Sequence, residues 1–462
     1  MLRKCAAATM GLLALLLVAG GCQQPSANTL DRLLIGEVMM HSELAENLRA
    51  ICLAGGRLSG SPNGHRAEQL VADKLREYSL RNVHLEPFEM TSWYDRQTTV
   101  TVLDDPPRVL EGATALANTL STPAEGLSAG LVDLGNGGEE DYAAQEGDLN
   151  GKFLLTRDRD PRARDKMSLA LEHGAAGLVI LGPPDREPIV GNCHVEPRPE
   201  PAVVVRNGDG EALAERLGDG ETLRLNIKID AESWLCRPNN VVAEIPGSGA
   251  LAKEVVIVCA HLDSWHLAEG AIDNGNGAAT VLETARALAG VSWRPERTVR
   301  FIWFMGEEHG LHGSEAYVRD HGDELDDIVA VINLDMPGSP RTLSCFGHPE
   351  LMEFLESVGQ ELAGYEITVK NSAAKGSFSD HAPFMQAGVA TMCLWGELGP
   401  GVKHFHSTKD TYEQVDRRAT VQSAAVVAVL VRRLADCPQR PSERLAPPEP
   451  ESKPAAGAAS RS

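Results

Sequence analysis

Six imidazole and carboxylate side chains stand where apolar runs stop or turn. "EVVIVCAHLD" runs into His261 and Asp263, "RTVRFIWFMGEE" ends, past Gly306, at Glu307 and Glu308, and "DDIVAVINLD" ends at Asp335. Asp273 stands in "AIDNGNG", a turn just ahead of an Ala-rich helical stretch. Each piece alone is weak, since a lone histidine is usually a satisfied core or surface residue and a glutamate pair a solvated turn. Recurrence at three strand ends reverses that reading. Five carboxylates brought to one rim repel too strongly to stay ionised unless cations neutralise them. Imidazole nitrogen with carboxylate oxygen, and no thiolate, suits Zn2+, with Co2+ or Mn2+ as substitutes. Two neighbouring ions need a bridging carboxylate, and Asp273, on a loop before a helix N-terminus, is placed for it. Glu307 and Glu308 cannot serve one metal alike, because adjacent side chains diverge. One should ligate and the other should face the water to be activated.

The elements that must position these residues follow from the same runs. Continuous apolar strands separated by helices such as Ala278 to Ala289 predict a largely parallel mixed sheet flanked by helices, an α/β fold with both faces covered. Ligands of such sheets bind beyond the carboxyl ends of the strands, so the three polar termini are expected on one rim. Near the front, Ala67, Leu70, Val71, Leu75 and Tyr78 recur at helical spacing and "NVHLEPF" alternates as a strand. Residues 115–230 change texture, with Gly, Asp-Gly and Pro turns between short runs such as "GKFLL", "GLVIL" and "PAVVVR". They read as a small inserted α/β domain. "NNVVAEIPGSGALAKEVVIV" reads as two strands joined by a Gly-rich turn, and Arg417 to Asp436 as a buried helix closed by Pro438. From Cys437 the composition turns to Pro, Ala, Ser and charge, a disordered tail. The resulting division is 1–22 signal, 30–114 first catalytic part, 115–230 insert, 231–436 main catalytic part and 437–462 tail. All the site residues lie outside the insert, so the set is expected to fold without it.

Composition bounds the partners. The 462 residues are 43% hydrophobic and 23% charged, a soluble globular balance, and the net charge of -22 argues against nucleic acid or anionic lipid as a partner. Arg3 and Lys4 precede "MGLLALLLVAGG", too short to span a bilayer and closed by small residues at Cys22, as in a secretory signal. "VAGGC" resembles the lipobox of bacterial lipoproteins, which would acylate Cys22 and leave the chain in the cell envelope or, without the lipid, secreted. Of nine cysteines, Cys5 leaves with the signal and no CxxC occurs, so nothing points to a thiolate metal site.

"AHLDS", "AIDN", "GEEHGLHGS", "NLDM" and "HSTKDT", in that order, resemble the signature of the co-catalytic di-zinc exopeptidases that include bacterial secreted aminopeptidases and carboxypeptidase Q. "RLSGSPN", "VHLEP" and "RPERTVRF" extend the likeness over most of the chain, and "GKFLLTRD" with "GAAGLVIL" is similar to their protease-associated domain. The resemblance implies the zinc exopeptidase (phosphorylase/hydrolase-like) fold, with one zinc on His261 and Asp335, the other on Glu308 and His406, and Asp273 bridging. It makes Glu307 the general base and Asp263 the carboxylate that orients His261. "KHFHS" also offers His404; only the following "STKDT" selects His406. Asn274 departs from the pattern, standing where carboxypeptidase Q has a second Asp. The implied reaction is hydrolysis at one end of a peptide; the alternative is an inactive zinc-binding ectodomain of the same fold. Lys375, Arg341 and Lys403 are near the motifs in sequence, but nothing orients them toward a substrate carboxylate.

Other motifs carry less. "GLSAG" matches G-x-S-x-G, yet Ser128 lacks the strand-turn-helix setting of a nucleophile. "DNGNGAA" lacks the Lys of a phosphate loop, and its glycines are expected to permit a tight turn. His266, His309, His312, His348 and His381 are assigned to no metal. Ser379 and Asp380, in a segment resembling a substrate-pocket loop of the family, are expected to cap a helix.

Overall fold

Every residue of Val255–His261 and of Ile328–Asn333 is buried, which only the interior of a sheet covered on both faces allows. The computed structural model describes residues 27–157, 162–372 and 379–445. In it these strands occupy the middle of an eight-stranded sheet ordered Arg81–Pro87, Asn239–Ile245, Thr298–Phe304, Val255–His261, Ile328–Asn333, Thr391–Glu397, Ser339–Phe346 and Thr368–Ser372. Thr298–Phe304, Val255–His261, Ile328–Asn333 and Thr391–Glu397 run parallel, and antiparallel pairs flank them. Side chains alternate between faces as the pleat demands. Val256, Val258 and Ala260 join a core with the Asn276–Gly290 and Arg417–Asp436 helices, while Val255, Ile257 and Cys259 pack with Tyr317 and Phe384 on the other side. The N-terminal helix Ala27–His41 lies along Arg417–Asp436, where buried Asp31 accepts from Arg432 Nε at 2.8 Å and Arg433 Nε at 3.0 Å.

A second eight-stranded sheet is built on two long strands, Met90–Val102 and Arg224–Cys236, paired antiparallel. The strands Leu127–Asp133, Phe153–Arg157, Gly177–Leu181 and Ala202–Val205 continue it in parallel, with helices Ala163–Glu172 and Asn207–Gly218 beside them. This sheet therefore begins ahead of residue 115, because Met90–Val102 finds its hydrogen-bond partner across the whole segment in Arg224–Cys236.

Two expectations gain detail and a third needs amending. Asn239–Ile245 and Val255–His261 follow each other in sequence but are not neighbours, since Thr298–Phe304 lies between them and pairs with both. Ser128 sits inside the Leu127–Asp133 strand and its hydroxyl accepts from Asn226 Nδ2 at 2.9 Å. Cys437–Leu445, assigned by composition to the tail, lies against the main sheet: Ser442 Oγ donates to Val329 O at 2.7 Å, Arg440 Nη2 to Ile328 O at 2.9 Å, and Leu445 N to Gly388 O at 2.8 Å. Polar contacts to strand-end carbonyls hold it, which a hydrophobicity argument does not see. Residues 1–26, with the signal and Cys22, and 446–462 lie outside the described residues.

Candidate metal centre

Because the central strands are parallel, their carboxyl ends share one edge. His261 is the last residue of its strand and pairs in register with Phe304, whose chain continues through Gly306 (φ 79°) to Glu307 and Glu308. Asp335 lies two residues beyond the Ile328–Asn333 strand on the other side of His261. Asp273 enters from the loop before the Asn276–Gly290 helix, and His406 follows the short turn Gly399–His404.

These side chains meet as two groups that share Asp273. His261 Nε2 is 3.1 Å from Asp273 Oδ1 and 3.5 Å from Asp335 Oδ1. His406 Nε2 is 2.9 Å from Asp273 Oδ2 and 3.0 Å from Glu308 Oε2. Each carboxylate oxygen of Asp273 thus faces a different group, and both groups could hold a metal ion. The donors fit one: nitrogen and oxygen ligands about 2.0–2.1 Å from a tetrahedral zinc stand ~3.3 Å apart. His261 Nε2, Asp335 Oδ1 and Glu308 Oε1 are buried with no hydrogen-bond partner although oxygen and nitrogen lie so near. Atoms gathered this closely but not aimed at one another point to a cation among them. Glu307 stands beside both groups, its Oε2 4.0 Å from His261 Nε2.

The protonation preferences of the metal-free cluster agree. Burial raises Glu307 well above the usual carboxylate range, with Asp335, Asp380 and Glu308 adding to the effect against the pull of His261. Burial pushes Glu308 up to about 7 despite His406. Burial would lower His261 and His406, but the surrounding carboxylates together, Glu307 with Asp263, Asp273 and Asp335 at the first and Glu308 with Asp273 at the second, outweigh it and hold both well above the ordinary imidazole value. Asp273 is held low because the two imidazoles overcome its burial.

The surroundings fix each group. Asp263 accepts the backbone N–H of both Glu307 and Glu308 at 3.3 Å, and its own carbonyl lies 3.2 Å from His261 Nδ1, which therefore donates there. The Asp263 carboxylate is 3.6 Å from the same nitrogen, so it tethers the glutamate turn more closely than it tethers the imidazole. Asn274 donates to Leu334 O at 2.9 Å and accepts from Met336 N at 3.0 Å and Gly277 N at 3.1 Å. It ties the Asp273 loop to the residues flanking Asp335. An Asp here would lose the donor to Leu334. Gly277 has ordinary helical backbone; what it permits is close approach, since a Cβ would come within 2.2 Å of Asn274 Oδ1 and 2.3 Å of Leu334 O.

Two residues that sequence reasoning passed over hold the loops. Arg57, fully buried, donates from Nε to Leu262 O at 2.7 Å and from Nη2 to Gly270 O at 2.8 Å, joining the His261 and Asp273 loops. Asp410 accepts from Ile272 N at 2.6 Å and Asp273 N at 3.1 Å, and burial pushes its carboxyl up to about 6. Both lie inside quoted stretches, "RLSGSPN" and "HSTKDT", but nothing in residue type distinguishes an arginine buried on carbonyls from an exposed one. The expected capping by Asp380 does not occur. Neither of its carboxylate oxygens has a hydrogen-bond partner, and Ser379 Oγ instead accepts from Asn333 Nδ2 at 2.8 Å. Among the described residues His266, His309, His312, His348 and His381 join neither group. Arg341 pairs with Glu397 at the surface, Lys403 is exposed, and Lys375 lies outside the described residues.

Comparison with known proteins places this arrangement. Residues 240–431 match the model of Peptidase family M28. That match takes in 192 of the 462 residues, about two fifths of the chain. The chain is 29% identical over 403 residues to carboxypeptidase Q of Xenopus laevis, covering 83% of each protein. The structure of a Peptidase M28 precursor from Shewanella amazonensis superposes with a TM-score of 0.81 at 24% identity, over 92% of this chain and 99% of that one. A zinc aminopeptidase from Bacillus subtilis gives a TM-score of 0.67 at 24% identity, over 91% and 98%. The fold is thus shared along nearly the full length, not only over residues 240–431.

Proposed function

We propose that the chain is a zinc metallopeptidase that hydrolyses peptides from one end, with two zinc positions: His261 and Asp335 at one, Glu308 and His406 at the other, and Asp273 between them. The observation that carries the reading is the split of the two Asp273 oxygens between imidazole-carboxylate groups 2.9–3.5 Å across. Zinc, when bound, polarises the substrate carbonyl and lowers the pKa of water. Glu307, in neither group but 4.0 Å from His261, takes the proton of the attacking water and passes it to the leaving amine. Asp263 holds Glu307 and Glu308 at fixed height through their N–H groups, so base and ligand keep separate places. The relatives' names, carboxypeptidase Q and zinc aminopeptidase, agree on end-directed hydrolysis and differ on which end. An inactive ectodomain would have no use for a glutamate held at this point.

A strong chelator should abolish hydrolysis of an unblocked peptide with distinct ends, and added Zn2+ or Co2+ should restore it. Mass spectrometry over time then shows which end shortens; full activity of the metal-stripped chain would overturn the reading.

A further inference from the structure

The two metal groups differ in what holds them from behind. His261 turns Nδ1–H to the carbonyl of Asp263 in its own loop. His406 turns Nδ1–H to the carbonyl of Val190, 3.1 Å away, and Val190 N donates back to His406 O at 3.0 Å. Val190 belongs to the second sheet's unit, its side chain fully buried in that core with Leu181, Val203 and Val205. Two residues on, the Asn192 side-chain amide donates to the carbonyl of Glu308, the other member of the His406 group. Asn192 is itself anchored by a bridge to Ala117, whose N–H donates to Gly191 O at 2.9 Å. Lys409 Nζ meets Glu187 at 3.0 Å and Arg186 lies 4.9 Å over the Phe405 ring, which closes the same seam. Among the described residues, no hydrogen bond from this unit reaches His261 or Asp335.

We propose that Val190–Asn192 is a positioning strap for the Asp273–Glu308–His406 metal position, so that this position is completed only by docking of the second unit, while the His261–Asp273–Asp335 position takes no such strap from that unit. The inference rests on the two-zinc reading above. A carbonyl at Nδ1 obliges His406 to carry its proton there and present a lone pair at Nε2, toward Asp273 and Glu308. Asn192 sets the backbone of Glu308 from the opposite side. Partners of this kind, placed behind a ligand, change metal affinity by ~10–100-fold when removed. The two positions should therefore respond unequally to the strap.

The test uses the full chain, stripped of metal and titrated with Co2+ against a competing chelator, following stoichiometry, affinity and the ligand-field spectrum of each ion. The parent should bind two ions. Asn192→Ala should retain one at parental affinity and bind the other ~10–100-fold more weakly. Asn192→Asp, of the same shape but without the amide donor, should do the same and serves if the alanine variant folds poorly. Gly208→Ala, on the second unit's Asn207–Gly218 helix and with no atom within 4 Å of its added Cβ, should leave both unchanged. A parent that binds fewer than two ions would sink the two-zinc reading itself. A two-ion parent whose Asn192 variants keep both ions at parental affinity, or weaken both equally, overturns the strap alone.

Discussion

Glu307 and Glu308 are adjacent in sequence, the first half-buried and the second buried, and chemically distinct because the turn after Gly306 sends them apart. Glu308 lies 3.0 Å from His406, whereas Glu307 approaches His261 no closer than 4.0 Å. Glu307→Gln keeps volume and hydrogen bonding but cannot accept the proton, so kcat should fall by roughly 10²–10⁴ with both zinc ions retained. Glu308→Gln should instead release much of one zinc, and excess metal should return part of the activity. Zinc stoichiometry and kcat measured on both proteins decide the matter; zinc loss from the Glu307 variant alone would reverse the assignment. Asn274 shows the same dependence on context. Standing where carboxypeptidase Q has an Asp, it leaves the five candidate ligands in place, and its amide makes a contact that a carboxylate could not.

At the scale of elements, edge strands are secured by charge where central ones are secured by burial. Glu86, on the edge strand Arg81–Pro87, meets His84 at 2.9 Å and His321, just after the His312–Asp320 helix, at 3.2 Å. The carboxylate of Glu86 holds His321 above its ordinary value; burial would raise Glu86, but its two histidines outweigh it and hold it low. The His321 contribution is complete below about pH 6.5, its unfolded value, and is lost as pH rises through the raised folded value. That of Glu86 is present above its unfolded value, about pH 4.3, and is lost as pH falls through the lowered folded value. Glu86→Gln should therefore destabilise most between about pH 4.5 and 6.5, by about 0.5–1 kcal/mol, and progressively less at alkaline pH. Denaturant unfolding of parent and variant across that range tests it; a constant difference at every pH would refute the linkage.

For the whole molecule, the expected signal and the tie between units matter most. No described helix is long and apolar enough to cross a membrane. We propose a lipid on Cys22, and Cys22→Ser should move the protein from the membrane fraction to the soluble fraction of a bacterial host. A parent already soluble with its signal removed would count against the lipid. Within the folded chain, Arg57 reaches from the N-terminal part to the Asp273 loop, and the Val190 segment reaches from the second sheet to His406. The site is thus gathered by parts of the chain far apart in sequence.

What the sequence by itself determined was local and periodic. Apolar runs ending in His261, Glu307 and Asp335 specified buried parallel strands, because a strand covered on both faces admits polar side chains only at its ends. The helices Asn276–Gly290 and Arg417–Asp436 could be read for the same reason. Only the tertiary structure decided which strand lies beside which, since Thr298–Phe304 enters between two runs that a turn joins in sequence. Only it showed that Met90–Val102 belongs to the second sheet, that Cys437–Leu445 is held by hydrogen bonds without an apolar face, and that His406 borrows its partner from Val190. Those facts rest on backbone carbonyls and amides, which every residue carries alike and which acquire direction and distance only once the chain has folded.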